Sequence, residues 1–455
     1  MLAVVCGLVR PLRWCLRSMT GACRRLNIGE PRLARRSAPM SSLQSLSAAA
    51  LPSATSPAEP PSRHGVDLVA SRRMAARLRL LISGACEPSE STWASMGAAL
   101  WQGDPLADEV ARWLHHEGMS EGRAQLQRAM AEGVGEGDGT PPALRHLIEH
   151  AQAVPDWVDP TLVARGARFL QSTGLHGMRV LRDAGLMAGY QASAINQTLL
   201  LTGALNRGAQ RRVSETTSWW LDCTADGGMA PHGPGWKATL HVRVMHALVR
   251  QNVRQRPTWD AASLGLPINQ LDLQATYLAF SVVQLLALRT TGFVVTQADA
   301  RAVMHLWRYI GWLMGVDNAW LCDDEMQGRV SLYRNLLSQA PPDASSVALG
   351  RALMDEPLHR HYRWGGPWRG RFDKARHLSL VRWFVGREGM GHLGLPLTWP
   401  WYPVVTFLPL LITSGLPRLL PGSLGARALR RRQTQSAYWR QEMGGGEPQG
   451  HCPRL

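Results

Sequence analysis

Sustained alternation of apolar and polar residues, the mark of a half-buried β-strand, is missing from all 455 residues of the chain. Its absence excludes a sheet framework. Paired cysteines are missing as well. Cys6, Cys15 and Cys23 lie near the N-terminus, and Cys86, Cys223, Cys322 and Cys452 are far apart, with no CxxC pair and no CxxCH run. A disulfide scaffold and a covalently anchored haem are thereby excluded, and a reducing compartment is the expectation. No HExxH pattern or related zinc signature occurs. Lysine is nearly absent, so the net charge of +16 is carried by arginine. Those arginines are scattered, and no RNP-like, zinc-finger or helix-turn-helix pattern accompanies them, so nucleic-acid binding is not expected.

Tryptophan is plentiful: 18 against 7 Tyr and 6 Phe. Trp157, Trp307, Trp364, Trp368, Trp399 and Trp401 sit beside or near Pro or Arg, which suits either a boundary position or a structural one. The apolar share of 45% is ample for a large core. Residues 1–65 read as a basic, disordered extension, Arg-rich to Met40 and then rich in Ser, Ala and Pro. No apolar run follows the arginine pairs, so an export signal is not supported, and a cytoplasmic or membrane-associated location is expected.

Residues 66–150 read as a helical N-terminal part, with apolar residues at helical spacing in Met74–Leu81, Ser89–Leu100 and Pro105–Leu114 and a break at Gly133–Pro142. Residues 151–392 continue helix after helix. Residues 393–443 form an apolar, Pro-rich arm, and 444–455 a disordered tail. The arm's core, Leu393–Leu420, is the most apolar stretch but holds five prolines. It reads either as a membrane-surface segment or as an arm packed on the core, and the arginines that follow extend a possible peripheral membrane contact over 393–432. The fold class is therefore all-α, one large helical domain with a disordered N-terminal extension.

Two segments carry candidate chemistry. In Thr239–Gln251, Val242, Met245, Val249 and Val253 form one helical stripe that contains His246, and Leu240, Val244 and Leu248 form a second row. The helix should be buried, and a buried imidazole needs hydrogen-bond partners or a metal. His241 falls about 140° away on the same helix, so the two do not face one ion. In Gln210–Cys223, Arg212, Glu215, Thr216, Trp219 and Cys223 share a face. Arg212 and Thr216 could hydrogen-bond a developing negative charge. Alternatively, Arg212 and Glu215 form an ion pair on a solvated helix.

The order RRVSET followed by VRVMHALVR resembles the latex-clearing protein (rubber oxygenase) and mycophenolate-type, mpaB-like, oxygenase family. VPDWVDP at 154–160, Thr202–Gly203, GLPINQLDLQATYLAF at 265–280 and HLWRYIGWLMGVD at 305–317 resemble further blocks of it in the same order. The resemblance implies a globin-like helical core holding haem b, with His246 as the iron ligand and Arg212 and Thr216 on the distal side hydrogen-bonding dioxygen. It implies an oxygenase acting on an apolar small-molecule or polymer substrate, an isoprenoid alkene in the named branches. Glu215 stands where rubber oxygenases carry a lysine able to reach the iron. Asn196 falls where they use a glutamate near the haem. Trp219, Trp220 and Met245 are candidates for lining an apolar channel. The competing readings are a metal hydrolase using His241 with His246, or His115 with His116, and a non-catalytic membrane-associated helical protein of the same fold.

Overall fold

The computed structural model describes residues 59–444 apart from 136, 138, 204–207, 420 and 421. The extension up to residue 58 and the tail from 445 lie outside the described residues. Among the described residues every regular element is a helix. The N-terminal part holds α1 (Leu68–Arg79), α2 (Glu90–Ala99), α3 (Pro105–Glu117), α4 (Met119–Glu132) and α5 (Pro142–Gln152). Next come α6 (Pro160–Ser172), α7 (Gly174–Val180), α8 (Ser193–Leu201), α9 (Ala209–Cys223) and α10 (Pro234–Arg254). Then follow α11 (Ala261–Leu264), α12 (Gln270–Leu278), α13 (Gln284–Thr290), α14 (Gln297–Leu313), α15 (Glu325–Ser338) and α16 (Ala344–Asp355). The chain closes with α17 (Gly366–His392), α18 (Trp401–Gly415) and α19 (Ser423–Glu442). Two π-helical turns, Leu181–Met187 after α7 and Ala279–Val283 between α12 and α13, pack against each other.

Local chemistry sets the helix starts. Asp67, Ser89, Asp104, Asp159 and Asn269 each accept a hydrogen bond from a first-turn backbone N–H, and Thr296 with Asp299 closes a capping box at α14. The break read at Gly133–Pro142 separates α4 from α5. Arg63, inside the stretch read from sequence as extension, is buried and paired with Asp272 at 2.9 Å. Gln270–Thr290 is apolar and long enough to cross a bilayer, yet most of it is buried in the protein, as a core helix is. Cys86, Cys223 and Cys322 are all free thiols.

Helix α10 is the element that the site depends on. Its Leu240, Val244 and Ala247 pack into the core, whereas Val242, Met245, His246 and Val249 face a cavity. A third side carries buried arginines. Arg243 Nε and Nη2 donate to the two oxygens of Asp104 at 2.6 and 2.8 Å, and its Nη1 donates to the Leu313 carbonyl at 3.2 Å. Arg250 pairs with Asp108 and donates to the carbonyls of Pro267 and Ile268. Both carboxylates belong to the start of α3, so α10 is riveted to that helix. Burial would raise the Asp104 pKa, but the adjacent Arg243 guanidinium outweighs burial and holds it below the ordinary value.

Helices α6 and α14 meet at Gly166, where an added Cβ would lie 2.5 Å from the Ala302 carbonyl oxygen. Gly166→Ala should therefore destabilise the fold by about 1–3 kcal/mol, although alanine is the better helix former. Urea unfolding at unchanged stability would contradict that close approach. Asp104→Ala leaves Arg243 buried without its partner and should cost about 3–5 kcal/mol. Because the folded pKa of Asp104 lies below 3.8, the pair contributes fully above that pH and is lost only as pH falls through the depressed folded value. The stability gap between wild type and variant should thus be flat at neutral pH and close only in acid.

Candidate active site

Helices α9 and α10 pack side by side and are tied by Thr239. The Trp219 indole N–H donates to Thr239 Oγ1 at 3.1 Å, Cys223 Sγ lies 3.5 Å from the same oxygen, and Thr239 Oγ1 donates to the Gly235 carbonyl. Both helices border a cavity of about 2290 Å³, well above the usual ~300–1,000 Å³ of a small-ligand site. There is room for a flat macrocycle and a substrate beside it. Both π-helical turns line it too, which fits the tendency of such turns to sit at functional sites.

His246 faces this cavity with its Nδ1 sealed from solvent and without a partner, and no hydrogen bond to its Nε2 occurs among the described residues. Other enclosed histidines are satisfied differently. His176 bonds Thr291, His377 bonds Asp183, and His232 bonds Gln152 and the Met130 carbonyl. Burial, aided by Arg250 and opposed by Asp104, pushes the His246 pKa down to about 4. The ring is therefore neutral at physiological pH, the form that binds a metal. Burial drives the Cys223 thiol pKa far up, so it stays protonated and does not compete as a thiolate ligand.

The candidates on α9 resolve individually. Arg212 borders the cavity, and its Nη1 is buried without a partner. Thr216 lines the cavity one turn on. Glu215 also lines it, but its carboxylate pairs with Arg211 at 2.8 Å rather than with Arg212. The ion pair weighed from sequence thus uses the neighbouring arginine and leaves Arg212 available. Asn196 is buried at the cavity wall, where Nδ2 donates to the Tyr190 carbonyl at 2.7 Å and to Ser345 and Ser346 at 3.2 and 3.4 Å. An amide clamp joining α8 to α16 therefore occupies the position matched to the acid.

Aromatic rings form the apolar wall. Trp219, Phe280 and Trp307 lie 5.0–5.6 Å apart, centroid to centroid, and all three border the cavity with Met245 and Trp220. Three lining groups were missed from sequence. Tyr190 is buried close enough to Arg212 for the guanidinium to oppose the burial that raises its phenol pKa. The Asp222 carboxyl is pushed up to about 6 by burial, against the pull of Arg432. His392 lines the wall at the end of α17 with an unpartnered Nδ1. None has a sequence signal, because the π-helical turn before Tyr190 and the packing around Asp222 are tertiary facts.

His241 also borders the cavity, while His115 Nδ1 bonds the Ala111 carbonyl. Among the described residues no three His, Cys, Asp or Glu side chains gather as a chelating set for a bare ion. A porphyrin supplies four iron ligands itself and asks the protein for one imidazole. A single partnerless neutral histidine in a large apolar cavity fits that requirement.

The comparisons with known proteins agree with this architecture. The rubber oxygenase of Streptomyces sp. (strain K30) is 29% identical over 187 residues, which is 40% of this chain and 45% of the relative. The chain thus spans less than half the length of that curated relative. The solved structure of latex clearing protein LCP in the closed state superposes with a TM-score of 0.58 at 20% identity, covering 74% of this chain and 91% of that one, and it shares the fold. The family described as ER-bound oxygenase mpaB/B′/Rubber oxygenase, catalytic domain, matches residues 174–413, more than half of the chain, and this protein belongs to it.

Proposed function

We propose that this chain is a haem b-dependent oxygenase acting with dioxygen on an apolar, isoprenoid-like alkene, with His246 as its iron ligand. The observation that carries this reading is the neutral, buried, partnerless imidazole of His246 at the wall of an oversized cavity. Bound haem b supplies the oxygen chemistry, and the protein orients and tunes it. His246 stays unprotonated down to mildly acidic pH, so protons do not displace it from a metal near neutrality. Arg212, free of an internal carboxylate, offers N–H groups to an anionic or polar ligand, and the Thr216 hydroxyl lies one turn away. Such bonds are stronger in a dry cavity than in water. The Trp219, Phe280 and Trp307 cluster offers stacking and apolar contact to a hydrocarbon chain.

Asn196 and the Arg211–Glu215 pair separate this site from a polyisoprene-cleaving one. An amide held by three hydrogen bonds does not exchange protons at neutral pH, so a step needing a carboxylate there has to use another group or another substrate. We therefore assign the substrate class as apolar alkenes and not polyisoprene in particular.

Purified wild-type protein reconstituted with haemin should show a Soret band that His246→Ala loses and His241→Ala and His392→Ala keep. Equal haem content in wild type and His246→Ala would falsify the ligand assignment, and a protein that takes up no haem at all would leave only the non-catalytic helical reading. Arg212→Ala should retain the Soret band yet bind cyanide or fluoride about tenfold more weakly, the size expected for one lost hydrogen bond to a charged group. Unchanged anion affinity would remove Arg212 from the ligand-binding side.

A further inference from the structure

Helix α18 turns outward the kind of face that helices normally bury. Val404, Val405, Leu408, Leu411 and Ile412 follow helical spacing and are all exposed, Val405 by 63% and Leu408 by 60%. The opposite side is fixed to the protein. Ser414 Oγ accepts from the Val294 N–H at 2.9 Å, Ser379 Oγ accepts from the Tyr402 N–H at 2.8 Å, and the backbone at Phe407 runs so close to Gly292 that a Cβ there would lie 2.4 Å from the Phe407 oxygen. The outward face is thus held in place by anchored backbone.

The start of α17 extends this surface. Trp364, Trp368 and Phe372 repeat every four residues, with Trp368 exposed by 81%, and the Phe372 ring lies 5.8 Å from Trp401 at the start of α18. Trp399 is also exposed on the approach to α18. No Asp, Glu, Lys or Arg occurs between His392 and Arg418. At the edges stand exposed Arg363, Arg371 and Arg430, which have no carboxylate partner among the described residues.

Three physical arguments select the occupant. A contiguous patch of this kind is a docking surface and not ordinary scatter of single apolar residues. At 15 residues, α18 is about 22 Å long, short of the ~30 Å hydrocarbon core, and Pro409 interrupts it, so it lies in a leaflet and does not cross. Tryptophans around an apolar helix with unpaired arginines at the rim match the layered chemistry of a bilayer face: hydrocarbon, interface, anionic headgroups. A second copy of this chain would set like-charged arginine rims against each other on a protein already carrying +16.

We propose that the outward face of α18, together with Trp364, Trp368 and Phe372, is a monotopic membrane-docking surface for a leaflet containing anionic lipid. None of these residues lines the His246 cavity, so the surface stands or falls independently of the haem reading. The test uses the full chain in vesicle flotation, with phosphatidylcholine alone or with phosphatidylserine added, and with sedimentation velocity run in parallel. Wild type should float with the mixed vesicles. The double variant Val405→Glu with Leu408→Glu, and separately Trp368→Ser, should bind about tenfold or more weakly at unchanged helix content and thermal midpoint. Bromolipids should quench tryptophan fluorescence in wild type, and Trp368→Ser should lower that quenching. Flotation of the double variant equal to wild type, as binding through the Arg-rich N-terminus alone would give, overturns the proposal. So does a wild-type dimer that the double variant converts to monomer, which would assign the face to a second copy.

Discussion

Two guanidinium–carboxylate pairs, Arg243 with Asp104 and Arg250 with Asp108, hold α10 in place. Such pairs add little net stability compared with apolar packing, but once built they cannot lose one member without stranding a buried charge. Their effect here is geometric. With one side fixed to α3 and another packed in the core, α10 has its remaining side free to face a cavity. His246 is placed there by the rotation of the helix, and Arg250 adds to the burial that keeps the ring neutral. The same positioning carries over to α9, which Thr239 ties to α10 through Trp219 and Cys223.

The helical class, the caps and the break before α5 were legible because each rests on local chemistry. Asp, Ser, Asn or Thr before an apolar-periodic run satisfies free N–H groups wherever the helix ends up. The apolar character of α10 was legible too, but its division was not. The stripe containing His246 borders the cavity and the second row enters the core, and periodicity records apolarity without recording what lies opposite. Arg243 and Arg250 gave no sign of burial, since their partners sit some 140 residues earlier in the chain. Glu215 had arginines at both helical neighbour positions, and only side-chain placement decides for Arg211. The apolar C-terminal segment was ambiguous between core and surface for the same reason, and the helix it forms takes both roles on opposite sides.

The match with the family and the departures from it come from different layers of the structure. The helices that frame the cavity supply the shared fold, and His246, Arg212 and Thr216 occupy positions that the framework points inward. Asn196 belongs to a different layer, because its amide links α8 to the beginning of α16 and so doubles as a fastener of the wall. Restoring an acid there would alter wall packing as well as chemistry. Substrate class and architecture are therefore coupled at this one residue.

The paired π-helical turns have a consequence for how this lineage can change. Each wide turn accommodates a residue that an ordinary α-helix would not, so the register on either side of it is offset. Removing a single residue from Ala279–Val283 would let the segment relax into a regular helix, and everything after it would swing by about 100° around the axis. Leu285 and Leu288, now in the core, would leave it, and the cavity-facing residues Leu286 and Thr290 would be redirected. Point substitutions can tune this wall gradually, but a one-codon deletion would rebuild it in a single step.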